Sequence, residues 1–247
     1  MKNKGVILIV LSGLMAFIGY HALRVKDDYF SMIPMILLAL PAYFDLLRVH
    51  LKKGLILIAV LSLYATCIEA LSIVTSFPYG SFNYNAQLGY KLFDLVPWGV
   101  GFGWGPLVIG AFALAHWIFE KRSVQFAVGA GLLVFTDLIL DPGAVLMNFW
   151  TWADPGVYYS IPVTNYLGWG LSAMVGGLIF YKLIPNHVIQ KLSVLSILTL
   201  SLGNAFWIGV TLSGAYWMPF LLGILLQGFV IYTVWIKFDK GGTYLRN

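Results

Sequence analysis

Three carboxyl side chains, Glu69, Asp137 and Asp141, stand in sequence that is otherwise apolar. An Asp at the centre of a membrane helix costs roughly 2.5 to 3.5 kcal/mol on insertion scales, so such a group faces a protein interior and marks a site. Glu69 belongs to a stripe, Ser62, Thr66, Glu69, Ser72 and Ser76, whose spacing of three and four residues draws one polar line along a helix. Its plainer reading is a hydrogen-bonded bridge between helices. Asp137 and Asp141 are four apart and share a face if the helix continues that far. Pro142 disfavours helical geometry at Asp141, and Asp141-Pro142-Gly143 reads equally as an N-cap with proline at the first position of a short interfacial helix, 142 to 149. The run Asp137-Leu-Ile-Leu-Asp141 also looks like half of an aspartate-rich diphosphate and magnesium site, but no second such motif follows and few basic residues lie nearby to hold a diphosphate.

The elements that position these groups follow from composition. In 247 residues, 60% hydrophobic and 10% charged, there is too little polar surface to cover a soluble globule. Apolar stretches near 5 to 23, 30 to 47, 54 to 75, 97 to 119, 123 to 140, 162 to 181, 192 to 213 and 216 to 236 are long enough to span a hydrocarbon core. An all-α, polytopic transmembrane bundle of about eight spans (seven if the tight turn at 212 to 216 is no break) is expected, one membrane domain over 1–247 in the cell membrane. The net charge of +5 does not call for nucleic acid, because the basic residues lie in short clusters between apolar runs. With a cytoplasmic N-terminus, only Arg24, Lys26 and Lys91 of the 15 Lys and Arg fall on the outer side, which predicts both termini inside. Lys2 and Lys4 before the first apolar run resemble a signal peptide; no Ala-x-Ala site follows, so a retained span is expected. The two long loops, 76 to 96 and 141 to 161, then both lie outside and are rich in Gly, Pro, Tyr and Trp. Cys67 and the scattered His21, His50, His116 and His187 predict neither a disulfide framework nor a metal site.

Small residues suggest close approach: Ser12, Gly13 and Gly19 let helices meet in the first span, and Gly99 and Gly103 in the fourth, with Gly168, Ser172 and Gly176 in the sixth, admit another helix or a flat ligand. The alternating glycines of 99 to 105 are not a phosphate loop, since no strand precedes them and no lysine follows. Asp45 precedes Arg48 by three and reads as a helix-end ion pair. Asn204, Trp207 and Gln227 either satisfy one another across helices or finish a cavity. Trp98, Trp104, Trp150, Trp152 and Trp169 crowd the outer boundary more densely than an interfacial aromatic belt needs, so a ligand-facing role is expected for some of them.

Taken together, Glu69, the FPYG of 77–80, Tyr84, Leu88-Gly89, Val96-Pro97, Trp104, Asp137, Asp141-Pro142, Trp150-x-Trp152, Gly156-x-Tyr158, Ile161-Pro162, Asn165 and Gly168-Trp169 resemble the integral-membrane carotenoid biosynthesis proteins. Characterised members of that family include carotenoid 1,2-hydratases and bisanhydrobacterioruberin hydratases. The signature covers residues 69–169, and Ser76 and Ser160 stand where the family leads one to expect glycine. The resemblance implies a hydro-lyase that adds water, without cofactor or metal, to a terminal isoprenoid double bond of an acyclic carotenoid. The product is a tertiary alcohol. Its partners would be the carotenoid, the bilayer and other membrane enzymes of the pathway. Such chemistry needs a protonated carboxylic acid, which Glu69 or Asp137 could supply; these two are expected as the acid and the water-orienting group, in either order, with Asp141 a further catalytic candidate. It also needs aromatic faces around a developing cation, for which Tyr79, Phe82, Tyr84, Trp104, Trp150, Trp152, Tyr158, Tyr159 and Trp169 are available. A hydrogen-bonding group, Asn165 among them, must hold the water. A prenyltransferase, which would depend on metal, and a carotenoid carrier, which would return its ligand unchanged, are the competing readings.

Overall fold

The computed structural model describes residues 3–25 and 32–240; Lys2, Lys26, Arg246 and the start of the second predicted span lie outside them. The helices run α1 (Lys4–Ala22), α2 (Ile33–Val49), α3 (Leu51–Thr75), α4 (Val100–Ile118), α5 (Arg122–Leu146), α6 (Val163–Leu183), a single turn α7 (Asn186–Ile189), α8 (Leu198–Ser213) and α9 (Trp217–Val234). Among the described residues, seven helices are long and apolar enough to cross a membrane, with a 3-10 turn extending α8 and a π-helical turn extending α9. The protein is a multi-pass membrane protein. At 17 residues α2 is shorter, yet it too traverses the bundle. The backbone N–H groups of Lys4 and Gly5 donate to the Asp239 carboxylate at 2.9 Å each, so α1 begins where α9 ends. The number of traversals is therefore even, and α2 is required to make eight. The break at 212 to 216 is real, with Ala215 in the left-handed region (φ 56) between α8 and α9.

α4 is the centre of the bundle: 13 of its 19 residues are buried, against four of 19 in α1 and five of 25 in α3. Its glycines explain how one helix accepts neighbours on every side. A Cβ on Gly103 would lie 2.8 Å from Met35 Sδ of α2, one on Gly101 2.6 Å from the Ser62 carbonyl of α3, and one on Gly105 2.6 Å from the Tyr43 hydroxyl. Gly99 likewise meets Met32. On α6, Gly168 packs on Tyr79 and Pro78, and Gly176 on Trp104. In α1 the close approach is at Gly19, where a Cβ would run into the Phe206 carbonyl of α8, and not at Gly13, which has nothing within 4 Å.

Asn204 and Gln227 meet across helices, though Asn204 Oδ1 has no hydrogen-bond partner among the described residues. Asn204 Nδ2 donates to the Gly223 carbonyl and to Gln227 Oε1, and Gln227 Nε2 donates to Ser12 Oγ and Ser201 Oγ, tying α1, α8 and α9 together. Asp45 accepts from Arg48 at 2.6 Å, as its spacing predicts, and also from the Ser193 N–H and hydroxyl ahead of α8.

Two features depart from expectation. α5 continues through Pro142 to Leu146, so Asp141 is a helical residue and not the cap of a separate interfacial helix. A proline removes only its own N–H and clashes with one carbonyl, a loss that tertiary contacts can offset. The two outer loops also carry strand structure: β1 (Phe82–Tyr84) pairs antiparallel with β4 (Trp150–Trp152), and β2 (Lys91–Leu92) with β3 (Val96–Pro97). Ser76 and Ser160, the two positions where glycine was expected, both adopt left-handed backbone (φ 64 and 68).

Candidate active site

The register Phe82↔Trp152, Asn83↔Thr151, Tyr84↔Trp150 decides which side chains face inward. Successive strand residues point to opposite faces, so Phe82, Tyr84, Trp150 and Trp152 line one face, and Asn83 and Thr151 are exposed on the other. The ring pairs Phe82–Trp152 and Tyr84–Trp150 have centroids 5.1 and 5.7 Å apart, the latter edge to face. Side chains lock this ribbon: Asn85 Nδ2 donates to the Asn148 carbonyl at 2.8 Å and Gln87 Nε2 to the Met147 carbonyl at 2.7 Å.

Beneath the ribbon is a cavity of about 130 Å³. Its roof is Tyr79, Phe82, Tyr84, Trp150 and Trp152; its walls are Glu69 from α3, Val100, Gly103, Trp104 and Leu107 from α4, Leu140 and Asp141 from α5, and Asn165 and Trp169 from α6, with Met35 from α2. Glu69 Oε2 accepts from the Tyr84 hydroxyl at 3.2 Å. On the α5 and α6 side the Asn165 amide nitrogen donates to Asp137 Oδ2 at 2.8 Å and to Asp141 Oδ2 at 2.6 Å. The second Asp137 oxygen, Oδ1, is buried with no hydrogen-bond partner. Among the described residues none of the three carboxyls forms a salt bridge; the Asp45–Arg48 pair lies elsewhere. Behind Glu69, the Tyr79 hydroxyl and Ser172 Oγ are 2.7 Å apart, and the Tyr64 hydroxyl donates to the same Ser172 oxygen at 3.2 Å. Burial first, and then the charge of Glu69, push the phenols of Tyr79 and Tyr84 well above the ordinary tyrosine value, so both remain O–H donors.

A carboxyl on one wall, a second on the other with a buried carboxyl behind it, and electron-rich rings above make a site that can move a proton to and from an apolar guest without exposing it to bulk water. Residues 6–230 match the carotenoid biosynthesis protein family. The chain belongs to that family. Its membrane-spanning architecture is the one that the family resemblance implies, and the match extends well beyond the 69–169 signature. A bisanhydrobacterioruberin hydratase from Haloarcula japonica is 32% identical over 227 residues, which cover 89% of this chain and 77% of the relative. No solved structure matches.

Of the residues singled out from the sequence of this carotenoid biosynthesis protein, Glu69, Tyr79, Tyr84, Trp104, Asp141, Trp150, Trp152, Asn165 and Trp169 line the cavity together. Asp137 does not reach the wall. It is fully buried one helical turn before Asp141 and communicates through Asn165. Tyr158 is also away from the cavity; its hydroxyl donates to the Leu138 carbonyl of α5 at 3.0 Å, and its ring stands edge-on to Tyr159 and Tyr166. Trp98 is exposed, in keeping with an interfacial anchor. Gly103, read from the sequence as a point of close approach, also lines the cavity. The residues with no signal in the sequence are Met35, Val100, Leu107 and Leu140, apolar positions no different in type from lipid-facing ones, while Ser172, singled out there for its small size, hydrogen-bonds with Tyr79 behind the cavity.

Proposed function

We propose that this protein is a carotenoid hydratase: it adds water, without a cofactor, to a terminal isoprenoid double bond of an acyclic carotenoid and forms a tertiary alcohol. The observation that carries the reading is the convergence of Glu69 with the Asp137–Asn165–Asp141 cluster, from non-adjacent helices, on one cavity roofed by aromatic rings. The size of that cavity agrees with it. About 130 Å³ is close to the ~150 Å³ of an apolar cavity that takes up benzene, so it accommodates one isoprenoid unit, and the rest of the polyene stays outside. The similarity to a bisanhydrobacterioruberin hydratase points the same way.

In this reading Asp137 and Asp141 share one proton, because two carboxyls on a single amide with no cation beside them do not both carry charge. Asp141, at the wall, gives that proton to the CH carbon of the terminal C=C bond, and the π pair becomes the new C–H bond. The positive charge develops on the tertiary carbon under Trp150, Trp152 and Tyr84, whose ring faces attract it. Water adds to that carbon and loses a proton to Glu69, whose carboxylate is oriented by the Tyr84 hydroxyl. Atoms balance as alkene plus water to alcohol, and transfer of a proton from Glu69 back to the aspartate pair through water closes the cycle. Low dielectric under the roof strengthens each of these interactions.

Expression in a lycopene-producing host, followed by pigment analysis, tests the reading. A hydratase yields products heavier by one or two waters, and their formation is unaffected by chelators. Recovery of unchanged lycopene-type and other acyclic carotenoids would sink it in favour of a carrier.

A further inference from the structure

Pro142 lies inside α5, one residue after Asp141. Proline has no amide hydrogen, so the carbonyl four residues back, that of Leu138, is left without its intrahelical donor. The Tyr158 hydroxyl, from the loop that follows β4, donates to this carbonyl at 3.0 Å. The same substitution of donors occurs across the cavity. Pro106 lies inside α4, freeing the Phe102 carbonyl, and the Tyr43 hydroxyl of α2 donates to it at 2.6 Å. In both cases the freed carbonyl is flanked by site residues: Leu138 follows Asp137 and lies within one turn of Asp141, and Phe102 precedes Gly103 and Trp104. Left unmet at this depth, either carbonyl would carry the cost of an unsatisfied buried acceptor and draw its helix toward another donor.

We propose that Tyr158 and Tyr43 are positioning residues that supply the hydrogen bonds Pro142 and Pro106 withhold. Tyr158 thereby keeps Asp137 and Asp141 on one face, within reach of the single Asn165 amide, and Tyr43 keeps Gly103 and Trp104 at the cavity wall. Neither hydroxyl touches the guest. This places Tyr158 in the mechanism through the backbone of α5, and it rests on the hydratase reading for its activity readout alone.

A double-variant cycle on the full-length protein in detergent tests it. Tyr158→Phe removes only the hydroxyl, and Pro142→Ala restores an N–H that can bond to the Leu138 carbonyl. The expected result is that Tyr158→Phe lowers kcat about tenfold with KM unchanged and lowers the unfolding midpoint, whereas in the Pro142→Ala background the same change alters neither. Tyr43→Phe with Pro106→Ala is expected to behave alike in unfolding. Equal losses in both backgrounds would overturn the proposal, since Tyr158 would then act independently of the proline. So would the absence of any loss from Tyr158→Phe in the parent. The unfolding arm decides the question even if no variant hydrates a carotenoid, an outcome that would count against the hydratase reading instead.

Discussion

Asn165→Ala is the sharpest perturbation of this site. One amide nitrogen donates to two buried carboxyls, at 2.8 Å to Asp137 and 2.6 Å to Asp141. A hydrogen bond to a charged group contributes roughly 1.5–3 kcal/mol and one to a neutral group roughly 0.5–1.5 kcal/mol. With one negative charge across the pair, the variant should therefore lose about 2–4.5 kcal/mol. Native stabilities are typically about 5–15 kcal/mol, so the protein still folds. Losing only 2 kcal/mol of transition-state positioning would slow turnover by roughly thirtyfold, at about 1.4 kcal/mol per factor of ten. Asp137→Asn added to Asn165→Ala should recover part of the stability, because the new amide can donate to Asp141. Denaturant unfolding in detergent gives the first quantity and conversion of carotenoid in membranes the second. Unfolding within about 0.5 kcal/mol of the parent together with parental turnover would refute the idea that this amide organises the acids.

Removing single carboxyls should separate their roles: Glu69→Gln and Asp141→Asn, both at the cavity wall, each lower turnover by about a hundredfold or more, and Asp137→Asn, one layer behind, lowers it less. Parental turnover in either of the first two would remove that residue from the mechanism. Stability should fall as pH rises above about 10, because the unfolded chain then releases the protons of Tyr79 and Tyr84 while the folded protein, with both phenols pushed upward, retains them. Tyr84→Phe should flatten that alkaline slope, and an unchanged slope would show that Tyr84 is no source of it. Ser76→Gly and Ser160→Gly relieve left-handed strain of about 1–2 kcal/mol, set against the roughly 0.4–1 kcal/mol that a glycine adds in unfolded-chain entropy. Each should raise the unfolding midpoint slightly, and a fall at both positions would contradict the backbone argument.

The order of spans, the even number of crossings and the face of α3 that carries Glu69 are properties of apolar length, basic clusters and helical spacing, so they were readable from the chain. The pairing of Asp45 with Arg48 was equally local. The alternation Phe82-Asn83-Tyr84 and Trp150-Thr151-Trp152 carried the signal of a strand ribbon, but two three-residue strands 60-odd positions apart become a roof only when the loops are brought together. Pro142 shows the limit most plainly. Its local chemistry argues for a helix end at Asp141, and α5 continues because a hydroxyl sixteen residues further on takes over the missing donor's place. Residue types and periodicity thus determined that this is a membrane bundle with buried acids. Which acid reaches the cavity, which stands behind it, and that Tyr158 serves a backbone carbonyl and lies off the cavity were decided by tertiary contacts, because hydrogen-bond partners and cavity walls are set by neighbours distant along the chain.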